Sequence, residues 1–313
     1  MKWPLCKILF ISTALLSMAA PAQSDVPPGY NGSLVVQAEI PKSGDFMAFG
    51  FDSLWMISGR RLLRVDPKDN SFVEIALKSS IGGRVRGICI GEGAVWVPDV
   101  SADLIHKIDP NSNQEIKEIP AQMLGSEGSI GVGEGSVWVV TEEGLDRTLA
   151  RFNAATGEAE AKINLPDSGA AALVDFGSVW VTAGRTGELY RIDPESNTIV
   201  STTSLHEQPR FLTSGEGSIW VLNQGDGTVQ RIDPTGKVIA TIEAGLVGGG
   251  GDITTGGGYV WVTTRSVPVA KIDPKTNTFI GKFYAIGMGD AIRYGAGSIW
   301  VSGQAIHRIE PPN

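Results

Sequence analysis

Between residues 177 and 197 the chain reads GSVWVTAGRTGELYRIDPESN. Two signatures bracket the stretch. Gly177-Ser178-Val179-Trp180-Val181 is apolar on both sides of its alternation, which suits a short strand covered above and below by neighbouring sheets. Arg191-Ile192-Asp193-Pro194 then predicts a tight turn, because the Asp carboxylate can accept from a backbone N–H two residues on and Pro presets φ at the next position. Asn197 follows four residues after the Asp, where turns tolerate left-handed geometry.

Outward from this unit, the same text recurs along the chain. Tryptophan stands at Trp55, Trp96, Trp138, Trp180, Trp220, Trp261 and Trp300, with spacings of 41, 42, 42, 40, 41 and 39 residues. Apart from Trp3 these are all the tryptophans. A period near 41 signals a solenoid or propeller before anything else. Gly-Ser-Val/Ile-Trp-Val repeats at Gly135, Gly217 and Gly297, and the Asp-Pro signature at Asp66, Asp109, Asp233 and Asp273, with Asn70, Asn113 and Asn277 four residues on. Blade three degenerates to Arg151-Phe152-Asn153-Ala154.

Each unit parses into four strands; in the third they are 129–132, 137–141, 148–152 and 159–165, separated by Gly-rich turns. No window shows a sustained helical period. Seven units of four strands without helices predict an all-β, seven-bladed β-propeller. The chain ends just after the third strand of its last unit, whereas SLVVQAEI at 33–40 precedes the first unit and reads as an isolated outer strand. It is expected to complete the last blade and so remove two open sheet edges.

Composition agrees with this reading. Forty glycines and 17 prolines punctuate a chain that is still 42% apolar and only 19% charged, which excludes disorder and coiled coil. Residues 1–22 read as a signal peptide: Lys2 and Lys7, a short apolar run, then Ala20-Pro21-Ala22 as the small-x-small site, with cleavage before Gln23. The run is too short to span a bilayer. Residues 23–32 read as a linker and 33–313 as the propeller. Loss of the two lysines takes the formal charge from −8 to −10. Only Cys89 then remains, so no intramolecular disulfide forms. The expected location is periplasmic or secreted, the expected state a monomer without a membrane span, and an acidic domain makes nucleic acid an unexpected partner.

The repeats resemble the bacterial YVTN/YncE-like propellers and the related streptogramin (virginiamycin B) lyase-like proteins, over essentially the whole processed chain. The resemblance implies a seven-bladed propeller. For the lyases it also implies a Glu-x-His pair, a further His and a nearby divalent metal. The histidines here are His106, His206 and His307, and none stands two residues after a Glu.

Function in a propeller sits on the face where outer strands return to inner ones, and in the central channel. Ten residues before each Trp the column reads Asp45, Arg86, Gly128, Ala170, Arg210, Gly251 and Asp290. Asp252 stands nine before its Trp and Arg293 seven before. Asn223 and Arg265 come from other loops on the same face, and His206 is the only histidine expected there. The arginines Arg86, Arg210 and Arg293 present planar forks to carboxylate or phosphate. Asp45, Asp252 and Asp290 suit hydroxyls, a cation or acid–base work, or else pair across the ring and hydrate a structural channel. The expected function is an exported propeller that binds a small ligand or protein partner at the polar channel mouth. The alternative is a top-face lyase or hydrolase assisted by a divalent cation. No catalytic residue and no metal ligand stands out.

Overall fold

The tryptophan strand organises every blade. Its residues are buried end to end in Ala94–Asp99, Ser178–Ala183 and Ser218–Asn223, and all seven indoles are fully buried. Each indole Nε1 donates to the carbonyl five residues back, at the end of the preceding strand: Trp96 to Gly91 at 3.0 Å, Trp180 to Asp175 at 3.1 Å, Trp220 to Gly215 at 3.1 Å. A buried indole thus keeps its one polar group satisfied.

The computed structural model describes residues 26–78, 87–123, 128–143, 146–167 and 169–313. They form seven antiparallel four-stranded units arranged in a ring, with no helix among them. The innermost strands are Asp45–Gly50, Cys89–Gly91, Ile130–Gly133, Ala172–Asp175, Pro209–Gly215, Asp252–Gly256 and Met288–Gly295. Each touches the innermost strands of both neighbouring blades, and the seventh touches the first. The core lies between blades: Trp55, Leu62 and Ile75 of blade 1 pack on Val95, Val97 and Ile108 of blade 2. Trp300 and Ile306 of blade 7 pack on Leu54, Met56 and Leu63 of blade 1 in the same way.

Val35–Ile40 is the fourth strand of blade 7, paired antiparallel with Ile306–Glu310. The ring is therefore closed by the two ends of the propeller chain, as the sequence predicts. The segment just before it, read as linker from sequence, is itself bound from Tyr30 onward. Gly32–Ser33 adds a fifth, parallel strand to blade 6 against Phe283 and Tyr284, and the Tyr30 hydroxyl donates to the Ser266 carbonyl at 2.7 Å. The Asn31 side chain occupies the space where a Cβ on Gly281 would lie. The expected signal peptide, residues 1–22, lies outside the described residues.

The Asp-Pro signature behaves as its chemistry requires. Asp66, Asp109, Asp193, Asp233 and Asp273 each accept the N–H two residues on, at 2.7–3.0 Å. Asn70, Asn113, Asn197 and Asn277 take φ of 55–62°. The turn also does something the repeat alone did not reveal. The basic residue before it stacks on its own blade's Trp, as Arg64 does over Trp55 at 5.0 Å. Its guanidinium then donates to the Pro carbonyl and Asn side chain of the next blade's turn: Arg64 to Pro110 and Asn113, Arg151 to Pro194 and Asn197, Arg231 to Pro274 and Asn277. The motif is a latch from each of these blades to its successor.

Candidate functional site

The innermost strands converge on one axial cavity of about 240 Å³, lined by residues from all seven blades. Each blade contributes a short stretch of its inner strand or of the residues leading into it. Among the described residues, blades 2 to 5 contribute Ile88, Ile130, Leu173, Phe211 and Leu212, with Thr213 as the only hydroxyl, whereas the charged lining residues come from blades 6, 7 and 1. These are Asp252, Asp290, Arg293 and Asp45. The channel has an apolar wall and a charged wall.

Blade 6 enters through Gly251, whose φ of +100° and whose approach to Thr263 leave no room for a Cβ. Asp252 follows. One of its carboxylate oxygens accepts the Ile253 N–H at 2.9 Å, and the other accepts the Arg293 guanidinium and, at 3.4 Å, the Ile292 N–H of blade 7. Arg293 also donates to the Ile292 carbonyl at 2.5 Å. Burial pushes the Asp252 carboxyl above its ordinary value although Arg293 pulls it down.

In blade 1 the strand bulges between Asp45 and Met47. Phe46 takes a φ of 56°, an unusual conformation for a bulky residue, while its N–H donates to the Asp45 carboxylate at 2.7 Å. At this bulge both Asp45 and Phe46 line the cavity. Cys89 lines the apolar wall, where burial pushes its thiol up to about 11. At neutral pH it is a thiol rather than a nucleophilic thiolate.

The structure thus brings Asp45, Asp252, Asp290 and Arg293 together. Arg86 lies outside the described residues. The remaining sequence candidates do not line the cavity. The Arg210 guanidinium lies over the Phe211 ring at 5.6 Å. Asn223 is fully buried and turns its amide inward, donating to Thr228 at 2.9 Å and Gln230 at 3.0 Å. Arg265 is exposed and folds against Gly250 in the loop above blade 6. His206 bonds through Nδ1 to Asp226 at 2.7 Å, across two loops above blade 5. Burial opposes ionisation of Asp226, but donors from Thr228 and then His206 outweigh it and hold its carboxyl low.

The other two histidines lie in third strands. His307 faces Glu39 of the closing strand at 3.7 Å, and burial lowers its pKa. His106 Nδ1 lies 3.0 Å from Glu115 and 3.9 Å from Glu118. These three form the only His/Cys/Asp/Glu group among the described residues spaced closely enough to share a metal ion. Sequence reading missed this grouping, because Glu115 and Glu118 meet His106 only through the outer strand's register. Glu115 is already engaged by the Lys78 N–H at 2.5 Å. The channel carboxylates form no such group.

Neither a family model nor a curated protein matches the chain. Solved structures do. A streptogramin B lyase superimposes with a TM-score of 0.73 at 19% identity, covering 87% of this chain and 96% of that one. A catalytically inactive variant of virginiamycin B lyase from Staphylococcus aureus, solved with quinupristin, gives 0.72 at 18% identity over 90% and 99%. Kuenenia stuttgartiensis hydrazine synthase gives 0.69 at 14% identity over 88% and 97%. At these identities the likeness is one of fold, the seven-bladed propeller.

Proposed function

We propose that the protein is an exported propeller that binds a small ligand in its central channel. One observation carries the reading: among the described residues the charged groups that line the axial cavity come from three adjacent blades, with Asp252 and Arg293 paired among them. Fixed charges beside apolar side chains in a concavity are the usual make-up of a small-molecule site. The volume suits a compact ligand, or one group of a larger one, better than a large substrate.

The test is a thermal-shift screen of small metabolites on the processed protein. A ligand at a hundred times its Kd should stabilise the fold by about 2.7 kcal/mol. Thr213→Trp, which sets an indole into the cavity, should remove that response while the protein still folds. Binding that persists in Thr213→Trp refutes the channel. Export is tested by the amino terminus of the protein recovered outside the cytoplasm, which should begin at Gln23.

The lyase or hydrolase reading has the shared fold behind it, with Asp45, Asp252 and Asp290 as its acidic groups in the channel. No described histidine lines the cavity.

A further inference from the structure

We infer that residues 30–34 form a releasable strap across the junction of blades 6 and 7, and that its release loosens the Asp252–Arg293 pair in the channel. This holds whether or not a ligand binds there. The strap is built onto the outer edge of blade 6. The Tyr30 hydroxyl donates to the Ser266 carbonyl, and its ring meets Tyr284 edge to face at 5.5 Å. The Asn31 N–H donates to the Lys282 carbonyl at 2.7 Å, and its side-chain oxygen accepts the Lys282 N–H at 3.2 Å. Asn31 fits only because Gly281 lies beneath it. Gly281 stands opposite the latch residue Lys271; the other six blades have Val73, Lys117, Ala161, Ser201, Ala240 or Ala38 at that place. The notch is therefore peculiar to the blade that carries the strap. Leu34 donates to the Tyr284 carbonyl at 2.8 Å and buries its side chain among Trp261, Val269 and Phe283 of blade 6 and Ile292, Ile299 and Ile309 of blade 7.

The strap lies where the latch between blades is reduced. The latch arginines rest their Nε on a serine two residues before the Trp, Arg64 on Ser53, Arg151 on Ser136 and Arg231 on Ser218, and fork onto two acceptors of the next turn. In blade 6 Lys271 replaces the arginine and Tyr259 the serine, and one bond remains, to the Pro312 carbonyl at 2.6 Å. A point charge on one acceptor ties less than a planar fork on two. Lys107 makes a similar single bond from blade 2 to Ala154 of blade 3, but there Lys117 also donates to the Thr156 carbonyl and Glu92 accepts the Gly135 N–H. Between blades 6 and 7 the strap takes that part. The inner end of the same seam is the channel pair. Ile292 shares a cluster with Leu34, donates its N–H to Asp252 at 3.4 Å and accepts Arg293 through its carbonyl. Packed side chains thus run without a break from strap to pair, a physical route for coupling. A chain start held by a few hydrogen bonds opens at much lower free energy than core strands do. The strap can release while Val35–Ile40 still closes the ring.

Native-state hydrogen exchange, read by mass spectrometry on the processed protein without ligand, tests the strap. The comparison protein begins at Val35, so it keeps the closing strand and lacks the strap. Amides of 252–256 and 291–295 should exchange at least about tenfold faster, the scale set by losing one buried leucine contact. Amides of 172–175 and 209–215, in blades 4 and 5, should stay within about twofold. Tyr30→Ala keeps Leu34 and the strand pairing and should give a smaller increase at the same amides of blades 6 and 7. If the chain beginning at Val35 does not fold, the Tyr30→Ala, Asn31→Ala double variant carries the test on the same amides. Unchanged exchange in blades 6 and 7 of the folded comparison protein overturns the inference. An equal increase in all seven blades also overturns it, because the segment would then support the whole ring rather than one seam.

Discussion

Arg308, in the last strand of the chain, donates to the Pro67 carbonyl at 2.5 Å and to the Asn70 side chain at 3.3 Å in the first blade. Its guanidinium lies over Trp300 at 5.3 Å, and its Nε donates to Ser298 at 2.9 Å. This is the same latch that links interior blades, used where the chain is not continuous. Closure therefore has two parts, a strand pairing within blade 7 and a side-chain tie from blade 7 to blade 1.

Removing that tie leaves a backbone carbonyl and an amide without their charged donor and uncovers the indole. Arg308→Ala should cost about 2–4 kcal/mol, combining lost charge-assisted hydrogen bonds with a lost cation–π contact. Arg308→Lys keeps the charge over the ring but cannot fork, so about 1–2 kcal/mol is expected. Urea denaturation of the three proteins measures this. Equal stability of Arg308→Ala and wild type would show that the latch contributes nothing.

The strand pairing can be removed separately. A chain beginning after Ile40 lacks the fourth strand of blade 7 and uncovers Ile306–Glu310 as an open edge. Open edges template pairing with other chains. The shortened protein should elute from size exclusion as oligomers or aggregate, and a synthetic peptide of residues 30–40 should restore the compact species. A well-behaved monomer without the peptide would contradict the role of this strand.

The Asp252–Arg293 pair calls for a double-mutant cycle. Asp252→Ala leaves a guanidinium largely desolvated and unpaired and should cost about 3 kcal/mol, at the low end for buried pairs because Arg293 is partly exposed. The Asp252→Ala, Arg293→Met double variant should recover much of that loss. Additive single costs would show that the two groups are not coupled.

Acid sensitivity follows from groups of opposite sign. The turn carboxylates are held below their ordinary value of 3.8: Asp109 first by the Ser112 hydroxyl, Asp193 first by the Glu195 N–H, Asp233 first by the Thr235 hydroxyl. Their stabilisation is complete above that value and is lost as pH falls through their folded pKa. His307 is lowered from 6.5 by burial, so stability also declines as pH drops below 6.5, well before the turns titrate. Asp252 works the other way, because its raised carboxyl favours the fold when protonated. His307→Gln should flatten the Tm–pH curve just below about pH 6.5 and leave the steep acid limb in place. A curve unchanged in that window would remove His307 as its cause.

How much of this was legible in the sequence depends on range. The Trp period and the Asp-Pro-x-x-Asn turn are local patterns, so blade number, strand count and the left-handed Asn positions could be read directly. The same alignment brought Asp45, Asp252, Asp290 and Arg293 to the axis, because each inner strand precedes its Trp by a nearly constant number of residues. What failed depended on contacts between blades or on inward turns at strand ends. Asn223, three residues after Trp220, reads from sequence as a loop group on the functional face, yet its amide satisfies Thr228 and Gln230 inside the blade. The latch arginines were read as part of a turn signature because their partners lie in the following blade. Arg210, ten residues before its Trp, and Arg293, seven before, both read as channel groups; Arg293 pairs with Asp252 of the adjacent blade and lines the cavity, whereas the Arg210 guanidinium lies over the Phe211 ring.

The indole hydrogen bonds offer a last test that separates packing from polarity. Trp220 is fully buried and donates to the Gly215 carbonyl, at a point where Gly215 itself crowds against Thr255 of blade 6. Trp220→Ala removes the ring and should cost about 3–5 kcal/mol. Trp220→Phe keeps most of the apolar volume and the face beneath Arg231, but leaves a buried carbonyl without a donor, for an expected loss of about 1–3 kcal/mol. If polarity matters as argued, Trp220→Phe should also lower the hydrogen-exchange protection of amides around Gly215 and Thr255, at the junction of blades 5 and 6, more than at Trp55 on the far side of the ring. A Trp220→Phe variant as stable and as protected as wild type would reduce the repeated tryptophan to a space filler and leave its conserved geometry across seven blades without a cause.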